Sequence, residues 1–264
     1  MFSSGHTCTV EYLCGVICRS PHEYATFTLM TKTMATIDTL KATQDNQLIE
    51  ACYSMTLNEK RLLLFAMSKV NPSTFPDASK PFRFEMTAKE WAQQFGDDNP
   101  WRSLKRTADK LLGRYLTLHP KAGHIQKISW FDSVDYFDKE ARIVVEFGRS
   151  VQIRLAGMLE QFTTIDLLAV SQLKSTHAVR LYELLSQFKS TGYRVMTVED
   201  FRWAMDVVNT NKGTKELKRA VLNPAVKQVN EKSDLFCIVT DIKQGVRITG
   251  FKFTFRTQEQ KQLF

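Results

Sequence analysis

Residues 214–223 place basic and amide side chains at a spacing that could read DNA bases. On a helix, Lys215, Arg219 and Asn223 would lie one turn apart on a single face. Arginine can donate two hydrogen bonds to guanine, and asparagine can pair in a similar way with adenine. Apolar residues would bury the opposite side of the helix. The pattern therefore favours a helix that lies in the major groove, although a charged face that contacts only solvent is the commoner outcome. The candidate contacts are Lys212, Lys215, Lys218, Arg219 and Asn223.

Two neighbouring features bear on this helix. Pro224 lies inside it and is expected to bend or break it, because proline lacks a backbone donor. Two strands follow, and the turn between them is flanked by Lys243 and Arg247. A basic hairpin beside a recognition helix is typical of a wing that contacts phosphates, although an ordinary solvated turn is an equal alternative. The alternating phenylalanines of residues 251–255 are assigned to the core.

The start of an earlier helix offers a third candidate site. Ser175 and Thr176 precede an apolar helix whose free amides could hold a phosphate. Both residues are also ordinary helix caps, which is the favoured interpretation. Arg180, one turn later, could reach a phosphate or pair with an internal acid such as Glu183.

A second basic helix is predicted over residues 101–116, with DNA-contact candidates in the first half of the chain. They are Arg102, Lys105, Arg106 and Lys110. The tripeptide Leu-Lys-Arg occurs in both basic helices, at 104–106 and 217–219. Each copy follows a helix that opens with a capping threonine and precedes two aromatic-rich strands. The common order and spacing indicate an internal duplication.

The sequence lacks the motifs of several kinds of enzyme and cofactor site. Neither a phosphate-binding Gly-x4-Gly-Lys-Ser/Thr loop nor a Gly-x-Gly-x-x-Gly turn occurs. No paired histidines accompany a tyrosine, as a metal-dependent nicking enzyme would need. The cysteines and histidines of residues 1–35 have no common zinc spacing, and the acidic residues Asp132, Asp135 and Asp138 fall on strand and turn. We therefore predict no enzyme activity, no cofactor and no metal.

Composition is that of a globular protein with a polyanionic partner. The formal net charge is +8, and 43% of residues are hydrophobic. No run is long and apolar enough to cross a membrane, and the five unevenly spaced cysteines fit a reducing cytoplasm. Residues 1–35 have no sustained periodicity and are predicted to be a poorly ordered leader.

Several short segments together carry a family resemblance. They are residues 46–49 (NQLI), 57–62 (LNEKRL), 162–163 (FT), 180–185 (RLYELL), 222–227 (LNPAVK), 229–235 (VNEKSDL) and 250–253 (GFKF). In combination they resemble the theta-type plasmid replication initiators of the Rep_3 family, over about residues 46–256. The resemblance implies an α+β fold of two tandem winged-helix domains related by a pseudo-twofold duplication. The N-terminal domain would span 36–156 and the main DNA-recognition domain 157–264.

The resemblance also implies a function. Such initiators bind repeated sequences, the iterons, in double-stranded DNA at a plasmid origin, open the adjacent DNA and recruit host replication proteins. Their dimers, in equilibrium with monomers, repress their own gene and contribute to copy control, with the first domain forming much of the dimer interface. The alternatives are a winged-helix transcriptional repressor, a rolling-circle nicking enzyme, and an adaptor whose basic helices bind an acidic protein.

Overall fold

A computed structural model describes residues 41–45, 49, 54–69, 81–121, 123–156, 162–208 and 213–258. The predicted leader, residues 1–35, lies outside this part of the chain. The first half contains β1 (Lys41–Asp45), α1 (Leu57–Ser68), β2 (Arg83–Thr87), α2 (Ala88–Phe95), α3 (Pro100–Leu112), β3 (Tyr115–Lys121), β4 (His124–Ser129), β5 (Phe131–Phe137), β6 (Arg142–Phe147) and α4 (Arg149–Ala156).

The second half begins with β7 (Phe162–Asp166), α5 (Leu167–Gln172), α6 (Thr176–Ser186), β8 (Tyr193–Thr197) and α7 (Val198–Ala204). A continuous helix, named α8, then runs through an α-helical part (Thr214–Leu217), a π-helical turn (Lys218–Leu222) and a second α-helical part (Asn223–Lys232). The strands β9 (Leu235–Gln244) and β10 (Arg247–Thr257) complete the described chain.

The two halves share one topology. Each has a helix, a strand, two further helices and an antiparallel hairpin. The sheets have the strand orders β2-β6-β5 and β8-β10-β9, so in each the first strand pairs with the last. The predicted α+β class and internal duplication are thereby confirmed. The described residues all belong to one compact unit, Thr39–Phe264.

Capping threonines set the starts of three helices. The hydroxyls of Thr56, Thr87 and Thr197 each accept from the backbone N–H three residues later. The carboxylates of Glu59, Glu90 and Asp200 each accept from the threonine's own N–H. These reciprocal bonds satisfy amides that a helix start leaves without partners. The sequence predicts these caps from threonine with an acidic residue three positions later at 56–59, 87–90 and 197–200, and the structure confirms them.

Aromatic clusters bury the sheets against their helices. In the first half, the Phe131 ring lies edge-on to Phe147, with 5.4 Å between the centroids. In the second, Phe201 of α7 contacts Phe251 at 5.4 Å and Phe253 at 6.1 Å. All these rings are buried, which confirms that the alternating phenylalanines of β10 belong to the core.

Buried ionic groups connect the two halves. The Lys60 ammonium of α1 lies 2.7 Å from the Glu183 carboxylate of α6, and both side chains are fully buried. The Arg180 guanidinium is 3.4 Å from that carboxylate and also donates to the Ala204 carbonyl of α7. Thus α6 contacts α1 of the first half and α7 of its own half through charged groups.

Several element boundaries differ from the sequence prediction. The helix predicted over 101–116 ends at Leu112, and a two-stranded ribbon, β3–β4, follows. Leu116, which continues the helical period of apolar residues, instead faces inward from a strand. The apolar pattern of residues 165–172 also favours a short helix; it begins at Leu167, because the Asp166 carboxylate caps it and Ile165 belongs to a strand paired with β1. The sequence also favours a short helix over residues 155–162; residues 155–156 belong to α4, residue 162 begins β7, and residues 157–161 lie outside the described part of the chain.

Pro224 does not break its helix. A proline cannot donate to the carbonyl four residues earlier, and its ring collides with that carbonyl in a regular α-helix. Here the preceding turn is π-helical, and the Asn223 N–H donates to the Lys218 carbonyl five residues earlier. The wider turn places Pro224 at the start of the next α-helical part, where its missing donor is tolerated.

Candidate nucleic-acid interface

Helix α8 has a buried side and an exposed basic side. Leu217, Leu222 and Val229 are buried, and the helix packs on α6 and β9. The predicted base-reading side chains Lys215, Arg219 and Asn223 are all exposed, and Arg219 has 76% of its side chain accessible. Lys212 lies outside the described residues. The structure thus presents the predicted stripe to solvent.

Arg219 is exposed but held in place. Its Nε donates to one Glu216 carboxylate oxygen at 2.9 Å, and its Nη2 donates to the other at 2.8 Å. These hydrogen bonds, reinforced by the carboxylate charge, raise the pKa of the Arg219 guanidinium. The residue therefore remains a cation with one edge occupied and the other directed outward.

Lys218 has a different setting from Arg219, although the two are adjacent. Its Nζ lies 2.6 Å from both carboxylate oxygens of Asp241 on β9, and both side chains are about three-quarters buried. A lysine engaged in this way ties the helix to the hairpin. The structure therefore gives Lys218 an internal partner, and its predicted contact with DNA stays a prediction.

The hairpin tip is basic and open. The turn passes through Gly245, whose φ of +60° is a left-handed conformation that glycine adopts without strain. Lys243 and Arg247 flank the turn and are exposed, and neither forms an ion pair with any residue that the structure describes. Both cations can therefore approach a phosphate backbone without first leaving a carboxylate.

The start of α6 serves as a cap. The Ser175 hydroxyl accepts from the Ala178 N–H at 3.1 Å and is 3.3 Å from the Gln228 amide of α8. Thr176, the first residue of the helix, is half-buried. Of the two possibilities for Arg180, the structure shows the internal pairing: its side chain is buried beside Glu183. Its guanidinium also donates to the Ala204 carbonyl, so the structure favours the internal pairing, and the phosphate contact of Arg180 stays a prediction.

The first basic helix, α3, has an outer face of the same kind. Arg102, Arg106 and Lys110 are exposed and line a surface cavity of about 320 Å³ that extends to the start of α1. Lys105 is engaged by Asp138 at 2.9 Å. That hydrogen bond and the lysine charge lower the pKa of Asp138. The available cations of α3 are thus the three that line the cavity.

Asp109, the acid within this basic helix, also has an internal partner. Its carboxylate accepts from the Tyr136 hydroxyl of β5. Burial and the hydrogen bond and charge of Asp109 raise the pKa of Tyr136. This helix packs on α1, α2 and β5, whereas α8 packs on α6 and β9, so the two basic helices are supported by different elements.

Two acidic residues of the site were not predicted from sequence. Glu216 lies one turn before Arg219, a spacing that the sequence alone displays. Asp241 is 23 residues from Lys218, and only the pairing of helix with strand brings them together. No membrane-spanning helix and no metal-binding cluster of acidic, histidine or cysteine side chains occurs among the described residues.

Comparisons with known proteins agree with this architecture. The chain matches a family model described as initiator replication protein, WH1, over residues 41–186, and one described as initiator Rep protein, WH2, over residues 197–255. A solved structure, the Pi initiator protein in complex with iteron DNA, superposes with a TM-score of 0.68 at 19% identity, covering 83% of this chain and 98% of that chain. At this identity the likeness concerns the fold.

Three relatives are similar in sequence. An uncharacterized 27.6 kDa protein of Escherichia coli is 28% identical over 211 residues, covering 74% of this chain and 87% of that protein. A replication initiation protein of Escherichia coli is 21% identical over 202 residues, and this chain spans 63% of its length. A probable replication protein of Bifidobacterium longum is 26% identical over 158 residues, 52% of its length.

Proposed function

The chain belongs to the initiator replication protein family, and from that premise we propose that it initiates plasmid replication by binding iterons in double-stranded DNA. The observation that carries the proposal is the exposed face of α8 beside the open basic hairpin tip. This arrangement occurs on a fold similar to that of an initiator solved with iteron DNA. A half-buried helix and a flanking basic hairpin suit a major groove and its phosphates.

The contacts divide by chemistry. Arg219 and Asn223 read base edges, and Lys215 lies beside them at the start of the helix. Lys243 and Arg247 at the hairpin tip contact phosphates, which supply affinity without sequence choice. Lys212, Ser175 and Thr176 stay predictions of flanking phosphate contacts.

The N-terminal half adds a second set of DNA contacts. We assign it to residues 36–156, and the recognition domain to residues 157–264. Arg102, Arg106 and Lys110 bind the DNA backbone, with Lys105 supporting them from its pair with Asp138. The same half forms a homodimer in equilibrium with the monomer, and the dimer represses the protein's own gene.

The proposed activity requires no catalytic step. Binding energy from repeated sites bends and opens the adjacent AT-rich duplex, and host replication proteins then enter the opened region. No residue is assigned as a nucleophile, a general base or a metal ligand. The protein acts by binding and by recruiting others.

The test is footprinting on the DNA that flanks the protein's own gene. Protection of tandem direct repeats supports the initiator, and the affinity should fall steeply with added salt. The double variant Lys243→Ala/Arg247→Ala should reduce the slope of log affinity against log salt by about 2. Protection of one inverted repeat alone would indicate a repressor instead, and absence of binding at low salt would exclude both.

A further inference from the structure

A carboxylate on the exposed face of α8 needs an explanation. Glu216 lies among cations that face solvent, and 36% of its side chain is accessible. Close to DNA, its negative charge is repelled by phosphates and therefore lowers the affinity for any duplex. Because Glu216 lowers the affinity for DNA, we expect it to contribute to a property of the protein other than affinity.

The geometry of the Glu216–Arg219 pair indicates what that contribution is. A guanidinium has five N–H donors in a rigid plane. Glu216 uses the side edge, taking one hydrogen from Nε and one from Nη2. The end edge, formed by Nη1 and the second Nη2 hydrogen, is left for another acceptor, and it has no partner among the residues that the structure describes. That edge presents two parallel donors, which is the pattern that the O6 and N7 atoms of guanine accept.

We propose that Glu216 is a specificity-determining residue that orients Arg219 for one guanine of the binding site. Resting on the proposed function, the inference adds that the arginine need not leave its carboxylate partner to read the base. The pair holds the long arginine side chain in one orientation before binding, so less rotamer entropy is lost on contact. Meanwhile the carboxylate disfavours an arginine turned toward a phosphate, which penalises non-specific complexes.

An alternative explanation is that Glu216 stabilises the helix start. It lies in the first turn of α8, where a negative charge interacts favourably with the helix dipole. Glu216 could also accept a hydrogen bond from a cytosine amino group, independently of Arg219. Each of these alternatives predicts that the effect of changing Glu216 is independent of Arg219.

The experiment is therefore a double-mutant cycle on DNA recognition. The full-length protein selects its preferred sequence from a pool of randomised 30-base-pair duplexes. Affinities of the wild type, Glu216→Gln, Arg219→Ala and the double variant are then measured on that sequence, on versions with each guanine replaced, and on random duplex. Thermal unfolding of each variant shows whether the fold is retained.

We expect Arg219→Ala to lose roughly 5- to 150-fold discrimination at one guanine, the range for a bidentate contact. Glu216→Gln should lose at least about threefold at that same guanine and bind random duplex more tightly. In the Arg219→Ala background, Glu216→Gln should have no further effect on discrimination. Glu231→Gln is the matched control, since this exposed carboxylate pairs with Lys227 further along α8, and it should leave discrimination unchanged.

Other outcomes are distinguishable. Additive losses, or a loss at a different base pair, would show that Glu216 acts without Arg219 and would overturn the inference. The inference is also overturned if Glu216→Gln keeps full discrimination while the wild type selects a clear sequence. In that case the proposed function is unaffected. If the wild type selects no sequence at all, the proposed function fails and the inference fails with it.

Discussion

The buried ionic cluster between α1 and α6 leads to an asymmetric prediction about stability. Lys60 and Arg180 are cations and Glu183 is the anion between them, so these three groups carry a net charge of +1. Changing Glu183 to glutamine leaves two buried cations beside a neutral amide. Changing Lys60 to methionine leaves a balanced pair of Arg180 and Glu183. The same ion pair is broken in each case, but the charge that remains differs.

The magnitudes follow from burial. Breaking a buried ion pair by removing one partner costs about 3–5 kcal/mol, because the other charge stays desolvated. Glu183→Gln should reach this range, since the Lys60 and Glu183 side chains are both fully buried. Lys60→Met nearly conserves volume and leaves the remaining charges compensated. Its cost should be below about 1.5 kcal/mol, as for other swaps of similar volume.

The assay is urea unfolding of the full chain at pH 7, followed by both circular dichroism and tryptophan fluorescence. Coincident transitions are required before a free energy is extracted. Glu231→Gln, which breaks an exposed pair, should change the free energy of unfolding by less than about 0.5 kcal/mol. If Lys60→Met destabilises as much as Glu183→Gln, the charge-balance argument is refuted.

Three further outcomes can be measured on the same protein. A Cβ at Gly250 would lie 2.7 Å from the Met196 carbonyl oxygen of the neighbouring strand, so Gly250→Ala should lower the free energy of unfolding by about 1–3 kcal/mol; Gly113→Ala, with 3.8 Å to its nearest atom, should not. Burial raises the pKa of the Cys237 thiol to about 12, so at pH 8 iodoacetamide should label the Cys237 peptide only in denaturant, as mass spectrometry can show. Burial lowers the pKa of His177, outweighing the opposing charge of a nearby carboxylate; the unfolded chain then binds more protons, so stability should fall as the pH drops below about 6.5, and less so in His177→Gln.

Much of the fold could be predicted because its signals are local. The capping boxes at Thr56, Thr87 and Thr197 mark helix starts within four residues of sequence. Strand and helix periods then give the order of elements in each half. The ribbon β3–β4 escaped prediction because Tyr115 and Leu116 continue the apolar period of α3 past Gly113. Only the pairing with β4, which lies beyond the turn, distinguishes a strand from a longer helix at these residues.

The candidate site was less predictable from sequence than the fold, and one physical cause explains the difference. Sequence indicates which side chains are cationic, but whether a cation is available for DNA depends on what faces it across the fold. Lys218 is engaged by an acid on β9, Lys105 by an acid beyond β5 and Arg180 by a carbonyl at the end of α7. The partner is 23 to 33 residues away in each case, and no periodicity connects it to the cation.

These internally paired cations nevertheless bear on recognition. A base-reading side chain must be held in a fixed position, and α8 is held by an ion pair to the hairpin that follows it. Lys218 and Arg219 thus illustrate two uses of one charge: the first fixes the helix to the hairpin, and the second projects from the fixed helix toward solvent. Because neighbouring side chains on a helix point in different directions, adjacent basic residues can face different surroundings. A Leu-Lys-Arg sequence on a half-buried helix is therefore expected to supply one positioning cation and one contacting cation. The Lys105–Asp138 pair beside an exposed Arg106 in α3 follows the same rule.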